Sequence, residues 1–334
     1  MIQILIKTSD AYVPKTLSAA DSHQLLQSSE ESTLPSSLKQ KLQKHWNTES
    51  TFIVGTNTLQ NCAWETMKDL WEHREPKSAY EPISVLILNT VYQPIDQPEP
   101  IVHEVTKLKK IEDPLEFAKN TLYTEDTIPQ HLRRYWDKRY TLFSKFDEGI
   151  RMDEEGWYSV TPEKLAAHVA ERCKCDVIID AFCGVGGNTI QFAQTCKKVI
   201  AFDIDESRLE CARHNARIYG VEDRIQFILG NYFDYVSEIE ADVVFLSPPW
   251  GGPSYREVEL FDLISMMPIS TKQLFQATSL ITKNIALFIP YNSNIGQLLS
   301  LPSENQHVEV ESEYINNELN SVVAYFGDLA FGHC

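Results

Sequence analysis

Between residues 176 and 289 short apolar runs alternate with stretches of helical periodicity, and this alternation most narrows the folds open to the chain. The runs 176–181, 198–203, 224–229, 241–247 and 284–289 read as strands. Between them, 188–195, 205–219 and 271–282 read as helices, the second with Leu209, Ala212, Ala216 and Tyr219 on one stripe. Strands separated by helices pair in parallel and need cover on both faces, so the pattern predicts an α/β, doubly wound sheet. Two alternating segments, 308–314 and 321–326, follow and are joined through Asn316 and Asn317, which predicts a terminal antiparallel hairpin.

Upstream the signals are thinner. Apolar runs at 52–54 and 83–88 read as strands around an amphipathic stretch carrying Trp64, Met67, Leu70 and Trp71, whose tryptophans are expected in a core. Residues 18–37 are polar and weakly ordered in character, and Pro94, Pro98 and Pro100 mark a linker. Residues 127–146 predict a helical segment with an aromatic face of Leu132, Tyr135, Trp136, Tyr140 and Phe143. Thr161 before Pro162 predicts a capped helix start running to about Arg172. Three regions are expected: 1–120, of no assigned role and partly flexible; 121–172, a helical extension; and 173–334, the α/β domain.

The composition excludes some classes of function. No apolar run reaches the roughly 20 residues of a membrane span, and the first residues lack a secretory layout, so the expected setting is the cytosol and nucleus, with no membrane partner. A net charge of −17 disfavours gripping long nucleic acid by phosphate neutralisation. Arg133, Arg134, Lys138, Arg139, Lys145 and Arg151 nonetheless cluster in sequence, which reads either as a solvated face or as a local anion contact. None of the seven cysteines forms a C-x-x-C pair, so reduced thiols and no metal site are expected, Cys173 and Cys175 included.

The first strand of the α/β region ends in Asp180 and opens into Ala181-Phe182-Cys183-Gly184-Val185-Gly186-Gly187-Asn188. Such a turn lets a ligand approach the backbone, but alone it would serve a dinucleotide, a nucleotide or nothing. The second strand ends in Asp203, 19 positions beyond Gly184, where an acid meets a ribose diol. An acid at Asp180, in place of a fingerprint glycine, suits a ligand with a cationic amino group better than a pyrophosphate. S-adenosylmethionine combines that amino group with a ribose and a sulfonium. Asn231, after the third strand, can accept a bond from an adenine amine or simply shape a turn.

The fourth strand delivers Ser247-Pro248-Pro249-Trp250-Gly251-Gly252-Pro253 to the same end of the sheet. The prolines stiffen a loop in which the Ser247 side chain and the carbonyls of Ser247 and Pro248 can orient an exocyclic amine. Trp250 offers a flat π face, better still for a cationic heterocycle. No histidine or free carboxylate lies in the motif, so no general base is assigned and the product amine can lose its proton to water.

Together with Phe146-Asp147-Glu148-Gly149-Ile150, residues 155–163 and Ala324-Tyr325-Phe326-Gly327-Asp328, these motifs resemble the trimethylguanosine synthase family of RNA cap guanine-N2 methyltransferases, over about 134–329. The resemblance implies a Rossmann-like class I methyltransferase, with a seven-stranded mostly parallel sheet, a terminal antiparallel hairpin and a helical amino-terminal extension. It implies S-adenosylmethionine as methyl donor, no metal, and the 7-methylguanosine cap of small nuclear and nucleolar RNAs as substrate, methylated twice to the 2,2,7-trimethyl form. Carried over by motif, Ser247, Pro248 and Trp250 form the catalytic set. Asp180, Phe182, Gly184, Gly186, Asn188, Asp203 and Asn231 hold the cofactor. Phe143, Thr161, Arg134 and Trp250 meet the substrate, Arg134 at the cap phosphates. Ribonucleoprotein proteins are possible partners, and nucleus and cytoplasm the expected compartments. The sequence departs from the family at Tyr291, after Pro290, where an Arg is expected, which puts one phosphate contact in doubt.

Two other readings share these motifs. An enzyme methylating an internal RNA or DNA base amine would use a similar Pro-Pro-aromatic loop and would not need the 7-methyl group. A cap-binding or scaffold protein would keep the fold and bind the cofactor without turnover.

Overall fold

The computed structural model describes the backbone of residues 3–8, 11–16, 52–53, 83–88, 108–302, 307–315 and 318–331. The predicted helix around Trp64, the polar stretch 18–37, the linker prolines and Asn316-Asn317 lie outside the described residues. Packing divides the chain into two compact units, one of residues 100–254 and 277–287, the other of 1–99, 255–276 and 288–331. Compactness therefore cuts across the three regions expected along the sequence.

Near the amino terminus Gln3–Thr8 (β1) and Ala11–Thr16 (β2) form an antiparallel hairpin. It was not expected, because a run as short and evenly apolar as Ile4-Leu5-Ile6 fixes no period. Phe52–Ile53 (β3) and Ile83–Leu88 (β4) form where the apolar runs predict them, and pair in parallel.

In the first unit, Pro114–Thr121 (α1) is capped by Asp113, whose carboxylate accepts from the amides of Leu115 and Glu116. The predicted helical stretch 127–146 breaks into Arg133–Trp136 (α2) and Arg139–Leu142 (α3), flanked by 3-10 turns at Gln130–Leu132 and Phe146–Glu148. Its aromatic side is buried in part: Leu132, Trp136 and Phe143 are buried, Tyr135 is half-buried and Tyr140 exposed, and the Trp136, Phe146 and Trp157 rings pack with centroids 5.4 to 5.8 Å apart. Glu154–Ser159 (α4) and Glu163–Arg172 (α5) complete the extension.

Then come Val177–Asp180 (β5), Gly187–Thr195 (α6), Lys198–Asp203 (β6), Glu206–Tyr219 (α7), Ile225–Leu229 (β7) and Val243–Leu246 (β8). Thr271–Thr278 (α8) leads on to Ile285–Pro290 (β9), which begins in this unit. The strands run β9-β8-β5-β6-β7, all parallel. β5 has β6 on one side and β8 on the other, so the strand order reverses beside it, and a crevice opens at its carboxyl end. β5, β6 and β8 are buried nearly throughout, as a sheet covered on both faces requires. Each such Val, Ile, Leu or Phe contributes about 1.5–3 kcal/mol by leaving water.

The second unit carries His307–Ile315 (β10) and Glu318–Phe326 (β11), the predicted hairpin, with a bulge between Glu313 and Tyr314. The five parallel strands and the two hairpin strands expected from the sequence thus all form. The outer edge of β10 also pairs antiparallel with β4, from His307 opposite Leu88 to Ser312 opposite Ile83. Strands from the region of no assigned role therefore extend the sheet of this unit.

Candidate active site

The carboxyl ends of four strands are stitched together by single backbone bonds. Ala181 N donates to Phe245 O at 3.1 Å, Cys183 N to Phe202 O at 2.8 Å, and Gly230 N to Asp203 O at 3.0 Å. The turn after β5 is thereby fixed to the ends of β6 and β8, and the motifs read separately in the sequence share one end of one sheet.

Asp180 is 1% exposed. Its Oδ2 accepts from the Thr189 hydroxyl at 2.6 Å, while Oδ1, equally buried, has no hydrogen-bond partner among the described residues. Burial pushes the carboxyl up to about 7, against the pull of the Thr189 hydroxyl and the Phe182 amide. A buried carboxylate oxygen with nothing to accept from is costly, and an ammonium donor would satisfy it.

Asp203 is held differently. Oδ2 accepts from Gly184 N at 3.0 Å and Oδ1 from Asp205 N at 2.8 Å, so the carboxylate is fixed by two main-chain amides. Burial raises it to about 6, opposed by those amides and by the Arg208 guanidinium. Each oxygen keeps a second lone pair for a hydroxyl donor. An oxygen for an amine and a fixed acid for a diol fit S-adenosylmethionine.

The glycine turn has the geometry its sequence demands. Gly186 caps α6 at φ 92°, and a Cβ there would stand 3.1 Å from Ala212. At Gly187 a Cβ would lie 2.5 Å from Val160 Cγ2, so this glycine lets the extension close against α6. Phe182 is half-buried, its ring 6.5 Å from that of Tyr232. Asn231 Oδ1 accepts from Phe233 N at 3.2 Å and caps the turn Tyr232–Asp234, so this residue does shape the turn.

Two expectations for the extension change. Thr161 does not cap α5. The cap position is Pro162, without a side-chain bond, and the buried Thr161 hydroxyl instead accepts from Asn188 Nδ2 at 2.9 Å. Proline at the cap fixes an extended entry to the helix and frees Thr161 to face the cofactor turn. Asn188, 8% exposed, keeps its Oδ1 without a partner among the described residues, a second buried acceptor at this turn. Phe143 is 2% exposed with its ring tilted against Tyr219, so it packs the extension onto α7 and offers no open face to a substrate.

The basic cluster also resolves into parts. Arg133 pairs with Glu125, Arg139 lies over the rings of Trp136 and Tyr140, and Lys145 reaches the Ile218 carbonyl and Glu148. Arg134 is exposed, bonded to the Tyr135 hydroxyl at 2.8 Å, and like Lys138 has no acidic partner among the described residues. Arg139 and Arg151, the latter over the Phe117 ring, also have no acidic partner among the described residues but are half-buried, so Arg134 and Lys138 are the exposed members of the cluster.

In the loop after β8, Ser247 and Trp250 are half-buried, Pro248 is buried and Pro249 exposed. Gly251 and Gly252 follow at φ 84° and 86° and turn the chain away beyond the tryptophan. In the other unit Tyr291 packs against Tyr255 at 6.1 Å, ring against ring where an Arg was expected.

Sequence reading missed what holds the extension in place. Arg208 on α7 donates to Asp153 at 2.9 Å and to Glu155, both at the start of α4. Asn215 accepts from Arg151 N at 2.8 Å and donates to the carbonyls of Arg151 and Val185, and His214 bonds Gly149 O at 2.9 Å. Ahead of α1, Lys109 N donates to Ile204 O at 2.9 Å, and Glu206 Oε2 accepts from Ile111 N at 2.8 Å, beside Asp203. The signal available was the edge of the apolar stripe of α7, where Arg208 and the buried Asn215 fall beside Ala212 and Tyr219 and so must find polar partners on the element packed there.

A family model described as RNA cap guanine-N2 methyltransferase matches residues 175–329. The chain is 38% identical over 209 residues to a trimethylguanosine synthase of Schizosaccharomyces pombe, covering 60% of this chain and 87% of that protein. It is 39% identical over 179 residues to the Saccharomyces cerevisiae trimethylguanosine synthase, covering 50% of this chain and 57% of that one. Among solved structures, a putative methyltransferase from Porphyromonas gingivalis W83 aligns with a TM-score of 0.45 at 12% identity, over 62% of this chain and 53% of that one.

Proposed function

The chain belongs to the RNA cap guanine-N2 methyltransferase family, and from that premise we propose that it methylates the N2 amine of a 7-methylguanosine cap twice, on small nuclear and nucleolar RNAs, in nucleus and cytoplasm. It is an S-adenosylmethionine-dependent enzyme of this class. The observation that carries the site reading is Asp180 Oδ1, a buried carboxylate oxygen without a partner among the described residues, at the mouth of a glycine turn whose next strand ends in a rigid acid.

In this reading Asp180, with Asn188, takes the amino-acid end of the cofactor, and Asp203 the ribose hydroxyls. Phe182 flanks the adenosine, and the glycine turn of Gly184 and Gly186 gives backbone clearance. Asn231 Oδ1 uses its second lone pair for the adenine amine. When bound, the cofactor supplies an electrophilic methyl group.

The chain's own part in the transfer is positioning. Trp250 stacks the cationic 7-methylguanine, gaining about 0.5–2 kcal/mol over a neutral ring. The Ser247 hydroxyl and the carbonyls of Ser247 and Pro248 accept from the N2 amine, which fixes its lone pair toward the methyl donor. Holding two reactants in attack geometry is worth several kcal/mol. The proton leaves to water after transfer, since the loop carries no basic side chain. Exposed Arg134 meets the triphosphate bridge, while Thr161 and Phe143 act through the placement of the extension.

A net charge of −17 supports recognition of the cap rather than of long RNA. The choice among capped RNAs then falls to the ribonucleoprotein proteins that present them. The test is incubation with labelled S-adenosylmethionine and either 7-methyl-GTP or GTP, with mass analysis. One and then two methyls on 7-methyl-GTP alone are expected; transfer to GTP, or to neither with the cofactor bound, would overturn the reading.

A further inference from the structure

At the opposite end of the parallel sheet from the cofactor turn, two cysteines face each other. Cys175 Sγ and Cys196 Sγ are 3.9 Å apart. Each lies two residues ahead of a strand, Cys175 before β5 and Cys196 before β6, and the two strands pair in register from Val177 opposite Lys198. The intervening residues are cross-linked as well, by Lys198 N to Asp176 O at 3.0 Å and by the Lys197–Asp176 ion pair at 2.7 Å. The ladder therefore holds the sulfurs side by side.

We propose that Cys175 and Cys196 are a dithiol modification site that hydrogen peroxide oxidises to an intramolecular disulfide. Cys196 Sγ lies 3.7 Å from the Thr195 hydroxyl and 3.8 Å from the Cys173 carbonyl. Its pKa is lowered to about 7, first by the Cys175 thiol and then by the Cys175 amide and Thr195 hydroxyl, which makes Cys196 the more acidic thiol of the pair. Cys175 is half-buried and Cys196 3% exposed, a setting that favours a small oxidant over a bulky disulfide. The other described cysteines, Cys173, Cys183 and Cys211, are buried, and burial raises the latter two thiols well above their usual range.

In the first step the Cys196 thiolate attacks one peroxide oxygen. The O–O bond breaks, and the departing hydroxide takes a proton to become water, leaving a sulfenic acid on Cys196. Cys175 sulfur then attacks the sulfenic sulfur, the S–S bond forms, the S–O bond breaks and a second water leaves with the Cys175 proton. Two thiols lose two electrons and one peroxide gains them. The sulfurs must close by about 2 Å to bonding distance. The disulfide would tie together the two ends of the β5-turn-α6 segment that carries Asp180 and the glycine turn.

The experiment treats the purified full chain with one to ten equivalents of hydrogen peroxide and maps its peptides without reduction. A 2 Da loss, with Cys175 and Cys196 peptides linked and dithiothreitol reversing the link, is expected. Cys175→Ser should stall at a dimedone-trappable sulfenic acid on Cys196, and Cys196→Ser should give no linked peptide. No mass loss, linkage through other cysteines, or direct passage of Cys196 to sulfinic acid in the wild-type chain would overturn the proposal.

Discussion

The cofactor turn and the acceptor loop sit on neighbouring strand ends and are built by opposite means. After β5 and β6 the chemistry is done by buried carboxylates, one pinned by two main-chain amides and one left with an open oxygen. After β8 it is done by a half-buried serine and tryptophan on a proline-stiffened loop, with no ionisable group at all. The first design fixes charge and the second fixes shape. Damage to the first should therefore appear in binding and in its pH dependence, and damage to the second in turnover.

The largest separation is expected at Trp250. Trp250→Ala should lower transfer to 7-methyl-GTP by about 100-fold or more through lost stacking and orientation, with S-adenosylmethionine affinity by calorimetry unchanged within about threefold. Full activity in this variant would end the stacking role. Asp180→Ala and Asp203→Ala should invert the pattern, weakening cofactor binding by about 10- to 100-fold, the worth of a hydrogen bond to a charged group.

A pH titration sharpens the contrast. Binding a cation favours ionised Asp180, which is held up to about 7 in the free protein, so affinity should fall about tenfold from pH 8 to pH 6. Asp180→Asn should flatten that slope. The sign for the free fold is the reverse. A carboxyl raised from 3.8 to about 7 stabilises the fold below pH 4, and that contribution is lost as pH rises through 7. Thermal melts of wild type and Asp180→Asn should converge in acid and diverge near neutrality, the variant melting higher.

The smallest effect is expected at Arg208, which touches neither ligand. Arg208→Met leaves Asp153 and Glu155 without their cation and removes the positive field that lowers Asp203. A roughly three- to tenfold loss of cofactor affinity that steepens below pH 7 is expected, from a partly screened pair worth about 1 kcal/mol. A loss independent of pH would mean that Arg208 only props the extension.

The parallel strands, the hairpin and the acids at two strand ends were legible because each is a local pattern: a period, a turn residue, an acid at a strand terminus. Thr161 was misread because capping is the commonest use of a threonine before proline, and its partner Asn188 lies 27 residues away. The basic cluster looked like one feature because sequence shows charges without their counterions; Glu125, Glu148 and the Trp136 ring come to it only through folding. Arg208 and Asn215 carried no motif, since what they bind is backbone or carboxylate of segments 30 or more positions earlier.

The pairing of β4 with β10 bears on how the protein can be shortened. β10 is nine residues long, and β4 occupies six positions of its outer edge. A chain trimmed to begin after residue 107, which would look harmless to every catalytic motif, leaves those main-chain donors and acceptors bare. An uncovered strand edge of that length is a template for a neighbouring molecule, so such a truncation should self-associate as its concentration rises, whatever its activity when dilute.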